Sequence, residues 1–340
     1  MRPSKMGIFG LLLAAGAACT QGFEPQNKVD NLRLFAVRAD KPYAKPGDTV
    51  ELEVLMTDAR KVRPAPAKLY WIPLLCMNPR DDLYYLCFLP PGDAGAGGGL
   101  LPLGDAGSFG SGNGFGNVPA GVDLAPFLPQ GPKFSFTMPQ DALQARPSGD
   151  SYGLAVVFNI ACAGKVEIAS RDSTLGPQQV PILCTDANGV KLQPNDYVIG
   201  ISRVYAYATR TNANPVVDRA IENGLDVDLG AGITVPPCKE NKRADCPDIK
   251  LDVHVTDEAW EVNPDETGRA LHEQIWVDWY TTAGEFTDDA RLLFDSTKGR
   301  TADSFDKFHA PVDPQEGTIW AVVHDNRGGV AWVIIPLHVR

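Results

Sequence analysis

TIWAVVHDNRGGVAWVIIPLHV, residues 318–339, decides the fold class. Two apolar runs flank Asp325-Asn326-Arg327-Gly328-Gly329, a set of residues that accepts positive φ as a tight hairpin requires. In the second run Ala331, Val333, Ile335, Leu337 and Val339 recur with period two and make one wholly apolar strand face. The same period appears upstream. QIWVDWYTTAG (274–284) puts Ile275, Val277 and Trp279 on one face, and Leu251, Val253 and Val255 alternate with Lys250, Asp252, His254 and Thr256.

Nearer the start, the turn Lys45-Pro46-Gly47-Asp48 precedes Val50, Leu52, Val54 and Met56, which alternate with Glu51 and Glu53. KLYWIPLLC (68–76), KFSFTMP (133–139), YGLAVVFNIACA (152–163) and DYVIGISRVYAYA (196–208) read as further strands, the third apolar enough for a central position. With 33 glycines and 28 prolines, the chain is rich in turns and poor in uninterrupted helical patterns. The expectation is an all-β protein with two tandem β-sandwich domains, the boundary falling in the polar, turn-rich segment that begins at Thr209.

The first residues are an address. Arg2 and Lys5 precede an apolar run from Gly7 to Ala18 that is too short to span a bilayer, the layout of a secretory signal. Gly16-Ala17-Ala18-Cys19 resembles the bacterial lipobox, in which the cysteine is acylated and becomes the new N-terminus. Ala15-Gly16-Ala17 also offers ordinary cleavage to a secreted protein. Cysteine parity favours the lipid anchor. Of seven cysteines, Cys19 stands apart, and the other six fall in three neighbouring pairs, Cys76/Cys87, Cys162/Cys184 and Cys238/Cys246. Thr20 after the anchor, rather than Asp, implies the outer membrane as destination.

The expected organisation is therefore a signal peptide at 1–18, a tether at 19–28 and a first sandwich at 29–208. That sandwich carries a flexible Gly-rich loop at 91–121 and an insertion at 163–195. The second sandwich occupies 209–340. The formal net charge of −11 argues against nucleic acid or anionic lipid as a partner of the folded surface.

LRLFAVRADKPYAKPGDTVEL (32–52) resembles the opening of predicted surface lipoproteins of myxobacterial type, where a signal and cysteine lead into such a strand and turn. WYTTAGEF (279–286), FHAP (308–311) and VVHDNRGGVAW (322–332) are similar to the closing motifs of immunoglobulin-like and PKD-like sandwich domains. The resemblance covers about half the chain beyond the signal. It implies a cell-envelope lipoprotein with Ig-like or PKD-like domains, a group without one assigned activity.

No motif for catalysis emerges. The histidines, at 254, 272, 309, 324 and 338, form no H-E-x-x-H pair, and no G-x-S-x-G elbow is present. Cys238, Cys246 and His254 match no zinc spacing. Acidic pairs at Asp81-Asp82, Asp257-Glu258, Asp265-Glu266 and Asp288-Asp289 lack the calcium-loop pattern and read as solvated turns. No catalytic residue, metal or cofactor is expected. Trp276, Tyr280, Trp320 and Trp332 are the candidate aromatic face for an envelope protein or polysaccharide partner. A calcium-dependent or carbohydrate-binding module is the second reading, and an envelope hydrolase using His272 or His309 with carboxylates is the third.

Overall fold

The computed structural model describes residues 26–63, 65–88, 99–102, 121–144, 151–169, 180–239, 246–263 and 268–340. Cys19, the signal, Asp265-Glu266 and most of the Gly-rich loop lie outside these residues.

The first sandwich is built from β1 (Leu32–Ala39), β2 (Tyr43–Ala44), β3 (Thr49–Asp58), β4 (Lys68–Met77), β5 (Gly99–Pro102), β6 (Lys133–Thr137), β7 (Gly153–Cys162) and β10 (Tyr197–Ala206). One sheet has the order β1-β3-β6 and faces a second of order β2-β10-β7-β4-β5. Every ladder is antiparallel except β2 against β10, which is parallel. The core between the sheets includes Leu32, Val50, Leu52, Trp71, Phe136, Val157 and Val204.

All ten residues of β7, GLAVVFNIAC, are buried, which explains its continuous apolar reading. Ala155 and Val157 face the sandwich core. Leu154, Val156, Phe158 and Ile160 face a second core on the opposite side of the sheet. The hairpin of β8 (Lys165–Ile168) and β9 (Ile182–Thr185), with short 3-10 turns at Tyr84–Phe88 and Ala125–Phe127, covers that side. The Cys76–Cys87 and Cys162–Cys184 disulfides tie this cover to β4 and β7. β5 corrects the expectation of loop throughout 91–121, because Leu100 and Leu101 pair with Cys76 and Leu75 as an edge strand.

The second sandwich repeats the order. β11 (Val217–Glu222), β12 (Leu225–Asp226), β14 (Ile249–Val255), β16 (Glu285–Phe286) and β19 (Asp306–His309) form a sheet of order β12-β11-β14-β19-β16. β13 (Ile233–Val235), β15 (Ile275–Thr281), β17 (Ala290–Asp295), β18 (Gly299–Arg300), β20 (Gln315–Asp325) and β21 (Val330–Val339) form the other, β13-β21-β20-β15-β17-β18. β13 is parallel to β21, as β2 is to β10. Two facing sheets with this Greek-key strand order, met twice, are immunoglobulin-type sandwiches. β11 lies inside the polar segment read as a boundary. Of its six residues only Ala220 is buried, so no alternation marks it.

The alternating sets close the second core. Leu251, Val253, Val255, Val277, Trp279, Val333, Ile335 and Leu337 meet Phe286 and Phe308 there. Cys238–Cys246 is the third disulfide, and Cys238 belongs to this core.

Candidate functional site

The two sandwiches lie side by side, and β1 explains why. Its pairing with β3 slips between Leu34 and Ala36, a bulge that leaves Phe35 unpaired and re-aims its side chain out of its own sandwich. The Phe35 ring sits 4.8 Å from both Tyr280 and Trp320 on the outer face of the second domain. The guanidinium of Arg38 lies 4.3 Å over Trp332 and that of Arg33 lies 5.4 Å over Tyr280. Val29, Ala36, Leu55, Trp320, Val322 and Val330 form the buried centre of this contact.

Three of the four residues read as a partner face, Tyr280, Trp320 and Trp332, therefore pack against the first domain. Trp320 retains only 5% of its surface. The fourth, Trp276, stacks on His324 at 5.4 Å, and His324 Nε2 approaches Asp278 at 3.2 Å.

Residues before β1 join the same junction. Asn27, within the 19–28 tether, is buried, as is Val29 at the start of the first sandwich. Val29 donates its N–H to the Thr281 carbonyl and Thr281 donates to Asn27, each at 2.8 Å. Asn27 Nδ2 also donates to Asp289 at 3.0 Å. At the other end, the link between domains is clasped by Asn214. Its amide donates to the Ala39 carbonyl at 2.7 Å and accepts the Val330 N–H at 2.9 Å.

Beside that clasp sits a buried charge cluster. Arg327, at the β20–β21 turn, pairs with Glu273 and Glu261, donates to the Thr211 carbonyl at 3.2 Å and lies 5.5 Å from the Tyr43 ring of the first domain. Glu273 is fully buried, and its Oε2 has no hydrogen-bond partner among the described residues. Burial first, then the nearby Asp325 carboxylate, push the Glu273 pKa up to about 7 against the pull of Arg327. Asp325 accepts the backbone N–H groups of Arg327 and Gly329 and the Asn212 amide.

A cavity of about 250 Å³ opens in the seam between β1 and β10, lined by Leu34, Val37, Ile201, Ser202, Arg203 and, from the second domain, Gly328. Among the described residues β10 pairs on this side only at Tyr205 and Ala206. Tyr207 donates to Ala44 across that edge, so by strand alternation the N–H and C=O groups of Ile199, Ile201 and Arg203 point into the seam. Ser202 lines the cavity, and its buried hydroxyl has no partner among the described residues. Sequence alternation could not single out this edge, because strand polarity and crossover points are tertiary properties.

The other candidate residues stay apart. His254 meets Asp218 at 2.7 Å, His338 meets Glu316, His309 meets Thr287 at 3.0 Å and His272 stacks on Trp260 at 3.8 Å. Asp257 pairs with Arg300 and Asp288 with Arg291. Among the described residues no group of three or more His, Cys, Asp or Glu side chains could hold a metal ion. The six cysteines are joined in the local pairs, with sequence separations of 11, 22 and 8. No helix among the described residues is long and apolar enough to cross a membrane.

No protein-family model and no curated protein matches the chain. Among solved structures it is similar to the fibronectin(III)-like modules of Clostridium thermocellum CbhA, at 9% identity and TM-score 0.22, covering 90% of this chain and 94% of that one. The three N-terminal domains of the Hoc outer capsid protein of bacteriophage RB49 align at 9% identity and TM-score 0.20, covering 91% and 99%. Extracellular domains 3–5 of Drosophila OTK align at 10% identity and TM-score 0.17, covering 93% and 98%. Overlays this loose carry no argument about function, and the immunoglobulin-type assignment stands on strand order.

Proposed function

We propose that this chain is a cell-envelope lipoprotein, anchored through Cys19, whose two fused sandwiches serve a structural or protein-binding role without catalysis. The observation that carries the binding role is the open β10 edge in the β1/β10 seam. Unpaired strand edges recruit extended polypeptide, because N–H and C=O groups in a cavity need partners. The three disulfides suit an oxidising compartment. The histidines lie apart from one another, each against its own neighbours, which supports a role outside hydrolysis.

The anchor is tested by fractionation and lipid labelling of wild type against Cys19→Ala, where loss of label and release from membranes is expected. A Cys19→Ala chain that stays labelled and membrane-bound refutes it. The binding edge is tested in cells with a photo-crosslinking residue at Arg203, against the same residue at Lys298 on the second domain. A discrete adduct at position 203 alone is expected. Absence of adducts at 203, or equal adducts at both, refutes the edge.

A further inference from the structure

The net charge of −11 conceals a segregated basic end. At the end of the first sandwich where the chain enters, Ala59 donates to the Asn31 carbonyl, placing loop 60–67 beside the docked N-terminal segment. Lys68 pairs with Cys162, Lys165 pairs with Thr185, and Thr185 bridges Lys191, so the loop, the 163–165 turn and the 186–191 turn share one surface. Lys28, Lys61, Arg63, Lys68 and Lys191 are exposed there. Two apolar side chains stand among them, Val62 at 78% exposure and Val190 at 62%.

Several carboxylates of the first sandwich at this end are held internally. Arg60, only 5% exposed, holds Asp58 at 2.7 Å and Asp196 at 2.6 Å, and donates to the Ala65 carbonyl at 2.9 Å. Asp186 accepts the N–H groups of Asn188 and Val190, and Glu167 is buried against Thr185. Among the described residues the remaining acids here are Asp30, half-buried beside Lys28, and Asp288 and Asp289 of the second domain, exposed beside Asn27, with Asp288 held by Arg291. Arg60 also receives the Arg63 side chain on its carbonyl at 2.9 Å, so the loop that presents Lys61, Val62 and Arg63 is a built feature.

We propose that this end is a docking surface for an anionic lipid bilayer, with the cations on headgroups and Val62 and Val190 at the interfacial boundary. Basic side chains flanking exposed apolar ones match that boundary, and each Lys or Arg near an anionic surface contributes attraction. Chain length agrees. Seven residues lie between Cys19 and the docked Asn27, and the eight steps reach at most about 28 Å. An acyl chain at Cys19 then holds this end at the headgroups, and the domain-linking end, about 25 Å away along the eight residues of β1, faces outward. On this proposal the net charge of −11 does not by itself exclude anionic lipid, because a bilayer meets one end of the molecule and not its average charge.

The proposal extends the anchored reading and is separable from it, since the test uses the full chain with Cys19→Ala and no acyl group. Co-flotation is measured with vesicles of phosphatidylglycerol and phosphatidylethanolamine, and with vesicles of phosphatidylcholine alone. Binding to the anionic vesicles that weakens with salt is expected. Lys61→Glu/Arg63→Glu/Lys191→Glu should lower it roughly a hundredfold at low salt, by about fivefold per basic residue. The control Lys45→Glu/Lys298→Glu should bind as the parent does. Equal binding to both vesicle types, salt indifference, an unaffected triple variant with parental melting temperature, or binding to heparin without binding to vesicles each overturns the proposal. The salt dependence of the Cys19→Ala parent alone decides the matter if the triple variant misfolds.

Discussion

Replacing Glu273 with Gln tests the reasoning about the domain junction most sharply. Glu273 is fully buried, and its carboxyl is pushed from the ordinary 4.5 up to about 7 by desolvation and Asp325. A raised acid pKa means that the folded chain binds the proton more tightly than the unfolded chain. The stabilisation is complete below pH 4.5 and is lost as pH rises through 7. Between pH 6 and 8 the unfolded chain is ionised throughout, while the folded group passes from mostly protonated to mostly charged. That tenfold change in preference costs about 1.4 kcal/mol, or about 2 °C in melting temperature for a chain of this size. Calorimetry at pH 6, 7 and 8 should show wild type falling by that amount and Glu273→Gln staying nearly level. Asp306, fully buried and raised to about 6 by burial, contributes the same sign mainly at lower pH and remains in both proteins. If the variant keeps the wild-type slope from pH 6 to 8, the account of Glu273 is wrong.

Phe35→Ala should cost about 2–3 kcal/mol by emptying the contact with Tyr280 and Trp320, and should split one calorimetric transition into two as the sandwiches uncouple. Gly200→Ala should destabilise by about 2 kcal/mol or more with an unchanged denaturant slope, because the added Cβ would lie 2.3 Å from Asn159 Oδ1. Removing Cys162–Cys184 should lower stability by about 1 kcal/mol more than removing Cys238–Cys246, since the closed loops span 22 and 8 residues. Equal losses in chemical denaturation would contradict that chain-entropy account.

Much of the fold was legible because strand burial is periodic. The sets at 251–255, 275–279 and 331–339 alternate with polar or less buried neighbours, and each lands in the second core. The half-exposed candidates were harder. Trp320 and Tyr280 alternate as any strand aromatics do, and nothing local shows that their outward face meets Phe35. β11 escaped notice because an outer strand with one buried residue carries little hydrophobic period.

The chain alone determined the all-β class and the turn positions and made local cysteine pairing the economical reading, because these follow from short-range chemistry: side-chain alternation, positive-φ residues and nearby thiols. The bulge that turns Phe35 outward, the docking of Asn27, the open β10 edge and the basic end required the tertiary structure. Each depends on residues far apart in sequence, such as Asn27 with Asp289, Asn214 with Val330, and Thr185 with Lys165. Their proximity arises only when two sheets close over a core and one sandwich folds back along the other.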